Sequence, residues 1–175
     1  MNRIIGELKQ GERFTYANIE WIKLDDDFGG SLVLAVNTLF NSVFDENESN
    51  NWAKSSLRKS LNSYVNGNFT NSFLRAINKD DLIEFERDLT TDDGMTEYGA
   101  CKDFISLYTC NEYRKYRKII PYLDTWHWTI TGDSLFYSHY VRYVHSDGCL
   151  NDLYAYCGNL GVRPLCVLKS EMEVE

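Results

Sequence analysis

The chain has 175 residues, of which 43% are hydrophobic and 14% aromatic, ample for a packed core and incompatible with intrinsic disorder. A net charge of −8 and a pI of about 4.9 exclude duplex nucleic acid as a general ligand, because neutralising phosphates needs an excess of Lys and Arg. No apolar run approaches the ~20 residues that span a bilayer, and the opening "MNRIIGELKQGERF" lacks the apolar core of a signal peptide. The expectation is a single domain over 1–175, cytoplasmic and without a membrane partner, its charge suited to a basic partner.

In chain order, "FTYANIEWIKLDDDFGGSLVLAVNTLF" reads as a β-hairpin. Ile19, Trp21 and Leu24 supply the apolar positions of the first strand, "DDDFGG" the turn and "SLVLAV" the second strand. The Asp cluster at 25–27 lacks the spacing of a calcium loop and reads as a solvated turn. "SNNWAKSSLRKSLNSYVNGNF" predicts a helix capped by Asn50 or Asn51, with Leu57, Leu61 and Tyr64 or Val65 on one stripe. "NGN" at 66–68 should end it, and Phe69, Phe73 and Ile77 suggest a shorter helical piece over 69–77.

Residues 80–103 hold nine acidic side chains against one Arg and one Lys. Within them "TTDDGMTEYG" reads as an exposed loop. Phe104, Ile105, Leu107 and Tyr108 then suit a short buried strand. Thr109 and Glu112 match a capping box opening a helix of about two turns that bears Arg114, Lys115, Arg117 and Lys118. The rest, "WHWTITGD", "YVRYVHSDG" and "GVRPLCVL", is β-like, rich in aromatic and branched residues between turn signals. The order predicts an α+β fold of antiparallel hairpins, two or three helices and long irregular loops.

The motifs carry a resemblance when taken in order. "IEWIKLDDDFGGSLVLAV", the pattern W-x-x-S-x-L-R-x-x-L-N around Trp52 and Arg58, "KDFISLYTCNEYRKY", Trp126-His127-Trp128-Thr129, "YVRYVHSDG" and "GVRPLCVL" resemble a domain family of unknown function found in Firmicutes and their phages. That family is similar to the C-type-lectin-like fold of the formylglycine-generating, sulfatase-modifying enzymes. The resemblance spans about residues 5–170 and implies a single C-type-lectin-like domain, with Trp52, Arg58, Arg163 and Pro164 as structural residues. It departs where relatives carry an Arg after the aromatic pair; Thr129 or Ile130 stands there.

The enzymes of that fold use a cysteine pair with copper, which directs attention to Cys149 and Cys157, eight residues apart. Nothing beside them suggests a substrate groove, and reduced thiols are expected for all five cysteines. No metal-ligand spacing, phosphate-binding loop or nucleophile elbow is present. His145 with Cys149 and Asp147 or Asp152 offers only the residue types of a Cys-His-acid set. The expectation is therefore a non-catalytic module without metal or cofactor, binding a protein rather than a small molecule. Trp126, Trp128, Tyr137, Tyr140 and Tyr143 are its candidate contacts, the two tryptophans being both core or both displayed because they lie two apart on a strand. The alternative is a phage-encoded inhibitor of a host nucleic-acid defence, of the anti-CRISPR type, in which Asp92, Asp93 and Glu97 occupy a basic channel. On that reading the protein is cytoplasmic in the bacterial host; a phage structural protein would instead be virion-associated.

Arg163 and Pro164 interrupt an apolar run. Pro164 should mark an edge or a bulge, and Arg163 should be buried, bonded to Asp103 and to loop carbonyls around 147–158.

Overall fold

The opening hairpin forms where the alternation places it, and its turn is set by two residues. Phe28 and Gly29 have φ of 55° and 81°, the pair of left-handed conformers that a two-residue turn needs to match strand twist. In the computed structural model, which describes residues 2–175, the strands in chain order are β1 (Arg3–Ile4), β2 (Arg13–Tyr16), β3 (Ile19–Asp27), β4 (Gly30–Ala35), β5 (Phe40–Ser42), β6 (Tyr64–Val65), β7 (Asn68–Phe69), β8 (Leu82–Ile83), β9 (Phe85–Asp88), β10 (Ala100–Asp103), β11 (Ile105–Ser106), β12 (His127–Gly132), β13 (Tyr140–Val144), β14 (Leu150–Tyr154), β15 (Leu160–Val162), β16 (Leu165–Leu168) and β17 (Glu173–Val174). Two α-helices, α1 (Ser56–Asn62) and α2 (Cys110–Lys115), complete an α+β fold that is mostly sheet.

Two sheets organise the chain. The first runs β11-β16-β4-β3-β2, with β8 also pairing β16; the second runs β14-β13-β12-β15-β5, antiparallel except for β12 with β15. Strands β4 and β16 are buried along their whole length. Alternation divides their side chains between two cores. Val33, Ala35, Cys166 and Leu168 join the larger cluster around Trp21, Trp52 and Trp128. Leu32, Leu34, Leu165 and Val167 join the smaller one beneath α2 with Tyr108 and Tyr113.

The segment "GVRPLCVL" is two strands, not one. Its first half, β15, belongs to the second sheet, and its second half, β16, to the first. Arg163 and Pro164 are the crossover. Pro164 lacks an N–H, but its carbonyl accepts from Ala35 N–H at 2.8 Å. Arg163 is buried as expected, but its partners differ. Nε donates to the Ala35 carbonyl at 2.9 Å, Nη2 to Val36 at 2.8 Å and Nη1 to Pro121 at 3.2 Å. Neither Asp103 nor the 147–158 carbonyls take part. At the junction of the sheets the nearest unpaired acceptors are the carbonyls where β4 ends, and a guanidinium can span several at once.

The helical expectations are shortened. Over 50–67, a 3₁₀ turn at Trp52–Lys54 is capped by Asn51, and Ser55 then restarts the chain as α1 by accepting from Arg58 N–H. Helix α1 stops at Asn62. Asn66-Gly67, at φ 51° and 79°, turns β6 back onto β7. An Asn-Gly pair between short β-prone runs is a hairpin signal, and it overrides the helical stripe that had included Tyr64 and Val65. Residues 69–77 form no helix: Phe69 and Ile77 are buried while Phe73 is exposed. The capping box on α2 forms as predicted, Thr109 and Glu112 each accepting from the other's backbone N–H.

Arg58 and Trp52 are structural in a specific way. Both donate to Asp103, Arg58 Nε at 2.6 Å and Trp52 Nε1 at 2.7 Å. One buried carboxylate thereby ties the start of α1 to the end of β10.

Candidate functional site

The two tryptophans part company. Trp128, in β12, is fully buried and donates from Nε1 to the Ser42 carbonyl at 2.9 Å. Trp126 precedes the strand and remains 37% exposed. It stacks on Tyr143 at 5.3 Å and lies 4.5 Å from the His145 ring. The rule that both share one fate fails because the sheet ends between them. Tyr143 is core, only 6% exposed.

Tyr137 and Tyr140 remain at the surface, and residues that sequence reasoning did not single out join them there. Tyr140 and Tyr154 are direct cross-strand partners of β13 and β14, their rings 4.6 Å apart. Tyr137 meets Tyr140 edge-on at 6.3 Å. Phe136 in the preceding turn is 85% exposed, and Tyr156 lines a shallow depression with Tyr154, Glu48 and Cys157. Polar alternation on β14 hid Tyr154, and no periodic signal marks a turn residue such as Phe136.

The loop bearing these aromatics is held firmly. Asn50, fully buried, donates from Nδ2 to the carbonyls of Ser134 at 2.9 Å and Tyr140 at 3.0 Å. Its backbone N–H reaches the Ser138 carbonyl at 2.7 Å, and its Oδ1 accepts from Tyr98 Oη at 2.6 Å. Gly132 permits this approach, since a Cβ there would stand 2.8 Å from Asn50 Nδ2. The asparagine expected to cap a helix thus ties together both ends of the 134–140 loop.

The acidic candidates separate in the same manner. Asp92 is ion-paired with Arg114 at 2.9 Å and Arg142 at 3.1 Å. Arg142 also approaches Asp152 at 3.6 Å and Asp133 at 3.9 Å. Burial, and then the neighbouring Asp152, push the Asp133 carboxyl above its ordinary range. Asp93 and Glu97 are exposed, Asp93 accepting from Thr91 Oγ1 at 2.6 Å.

The nucleophile candidates do not converge on a reactive geometry. All five cysteines are free thiols. Cys149 and Cys157 lie beyond opposite ends of β14, whose five residues alone span roughly 16 Å. His145 Nδ1 lies 3.3 Å from Asp147, but the same carboxylate stands beside Cys149 and raises its thiol, the opposite of activation. His139 Nδ1 is 2.8 Å from the Glu48 carbonyl. His127 is buried against Tyr108, and burial followed by the Arg163 charge pushes its imidazole down to about 3. A cleft of about 300 Å³ between β9 and α2 is lined by Phe28, Arg87, Cys110 and Glu112. Its Arg87 is already bound by both Glu112 oxygens, at 2.5 and 3.0 Å. Among the described residues no group of three or more His, Cys, Asp or Glu side chains is placed to hold a metal, and no helix is long and apolar enough to cross a membrane.

Comparison of the chain with protein-family models, with curated proteins and with solved structures found no match.

Proposed function

We propose that this chain is a non-catalytic protein-binding module of C-type-lectin-like type, and that the aromatic surface at 136–140 and 154–156 is its contact face. The observation that carries the reading is exposure on a fixed support. Phe136, Tyr137, Tyr156 and Tyr154 are 85%, 64%, 57% and 52% exposed; the loop of the first two is anchored by a buried Asn50, and Tyr154 is held opposite Tyr140 in the β13–β14 ladder. Large apolar side chains held in water on a rigid frame cost solvation and side-chain entropy with no gain to the fold. The raised thiol at Cys149 and the paired charges of the cleft favour binding over catalysis.

The acidic-channel reading takes second place, because Asp92 is already neutralised by two arginines and only Asp93 and Glu97 project freely. The test is a comparison of three tagged baits on a bacterial lysate: wild type, Tyr137→Ser with Tyr154→Ser, and Asp93→Asn with Glu97→Gln. A protein retained by wild type and by the acidic variant, but lost from the tyrosine variant, is the expected result. Retention by the tyrosine variant overturns the proposal, and loss only from the acidic variant transfers support to the second reading.

A further inference from the structure

Strand β14 is the last strand on its side of the second sheet, and the hydrogen-bond alternation fixes which of its groups face outward. Ala155 N–H donates to His139 at 2.8 Å and His145 N–H to Cys149 at 2.9 Å, so the bonded pairs fall at 139/155 and 145/149. In an antiparallel ladder the bonded pairs recur every second residue. Tyr140/Tyr154 and Arg142/Asp152 are therefore the non-bonded pairs, and the backbone N–H and C=O of residues 152 and 154 point away from β13. The Tyr154 carbonyl closes a turn with Cys157 N–H at 3.0 Å. The Asp152 N–H, the Asp152 carbonyl and the Tyr154 N–H are left facing solvent, on residues that are themselves exposed.

The end strands of the first sheet are each capped on their outer side. Asn62 binds the outer side of β11, its Nδ2 donating to the Ile105 carbonyl at 2.8 Å and its Oδ1 accepting from Ile105 N–H at 3.1 Å. The C-terminal Glu175 carbonyl accepts from Thr15 of β2 at 2.8 Å. The open edge runs beside the aromatic surface, and the carboxylates flanking it are Asp152, Asp133 and Glu48. Arg142, the cation among them, is engaged by Asp92, Asp133 and Asp152.

Resting on the protein-binding reading above, we propose that the partner is engaged as an extended basic segment that adds to the second sheet along β14. Its backbone pairs with Asp152 and Tyr154, as in other cases of strand addition. Alternate Lys or Arg side chains lie over the Tyr140–Tyr154 rings and beside Asp152 and Glu48, where a cation gains from both the ring face and the carboxylate. The charge of Asp152 at mid-strand also guards the edge against self-pairing, so an uncharged or acidic strand is disfavoured.

The probe is a displayed library of random dodecapeptides selected on the full chain. Peptides carrying Lys or Arg two residues apart should be enriched. Their affinity should fall about fivefold or more on N-methylation of alternate amides and be unmoved by methylation of the others, since each lost backbone bond is worth ~1 kcal/mol. On the protein side, Asp152→Pro removes the outward N–H together with the carboxylate and Asp152→Asn the carboxylate charge alone, so the proline variant should weaken binding further; if it melts early, the methylation series decides alone. Peptides that need Tyr137 and Tyr154 but show no alternation overturn strand addition and leave the aromatic contact face standing. Enrichment of neutral or acidic peptides overturns the basic partner. Peptides indifferent to the tyrosines, or no enrichment at all, remove the protein-binding reading and this proposal with it.

Discussion

Asp103 and Arg58 are joined at 2.6 Å, 45 positions apart in sequence, with the carboxylate side chain wholly buried. Trp52 occupies the second oxygen, so one side chain satisfies a charge and an indole together. Asp103→Ala leaves both donors unmatched. It should destabilise the protein by about 3 kcal/mol, measured by urea unfolding, since removing one member of a buried pair leaves the other uncompensated. Asp103→Asn retains an acceptor for Trp52 and should lose less. An Ala variant as stable as wild type would show that the pair is dispensable.

Arg163 should tolerate no conservative replacement. A lysine carries one compact ammonium and cannot reach the carbonyls of Ala35, Val36 and Pro121 together. Arg163→Lys should cost roughly 2–3 kcal/mol and Arg163→Ala somewhat more, because each orphaned buried carbonyl carries its own desolvation penalty. Denaturation midpoints at fixed pH check this.

His127 makes stability fall with acid. Its imidazole titrates at 6.5 when unperturbed and about 3 in the fold. Between these values the unfolded chain holds the extra proton, so stability is complete above pH 7 and declines as pH drops through that window. The loss should reach about 2–3 kcal/mol by pH 4.5. Unfolding measured from pH 7.5 to 4.5 should give a shallower slope for His127→Gln than for wild type; equal slopes would assign the acid sensitivity to other groups.

Surface and core tyrosines should answer differently to the same change. Tyr137→Ser and Tyr154→Ser alter exposed rings and should shift stability by under about 1 kcal/mol. Tyr143→Ser empties a buried site against Trp126 and should cost roughly 3 kcal/mol. Thermal melts of the three variants separate display from packing.

Local chemistry was legible in the sequence where it acts over a few residues. The turn after Asp27, the Thr109–Glu112 box and the burial of Arg163 follow from patterns of two to five positions. Partners distant in the chain were not. Nothing local tells Arg163 that the end of β4, rather than Asp103, will stand beside it, or tells Asp92 that Arg114 and Arg142 will neutralise it. The helix expected after Asn50 or Asn51 is shortened to Ser56–Asn62, because the hairpin that Asn66-Gly67 closes takes Tyr64 and Val65 from its apolar stripe. Of the candidate contact face, Tyr137 and Tyr140 were visible as aromatics in a β-like region. Phe136, Tyr154 and Tyr156 were not, since exposure is decided by where a strand ends in space, as Trp126 and Trp128 demonstrate.

The crossover at Arg163–Pro164 also governs when the molecule can fold during its synthesis. Residues 160–162 fill the place between β5 and β12, and residues 165–168 the place between β4 and β11. Both sheets therefore wait, with gaps at interior positions, until the ribosome has released the chain beyond Leu168. Pairings between segments about 130 residues apart, such as Val33 with Cys166, close late and slowly. Nascent chains stalled before residue 160 should be protease-sensitive throughout, and protection should arrive in a single step once that segment clears the exit tunnel.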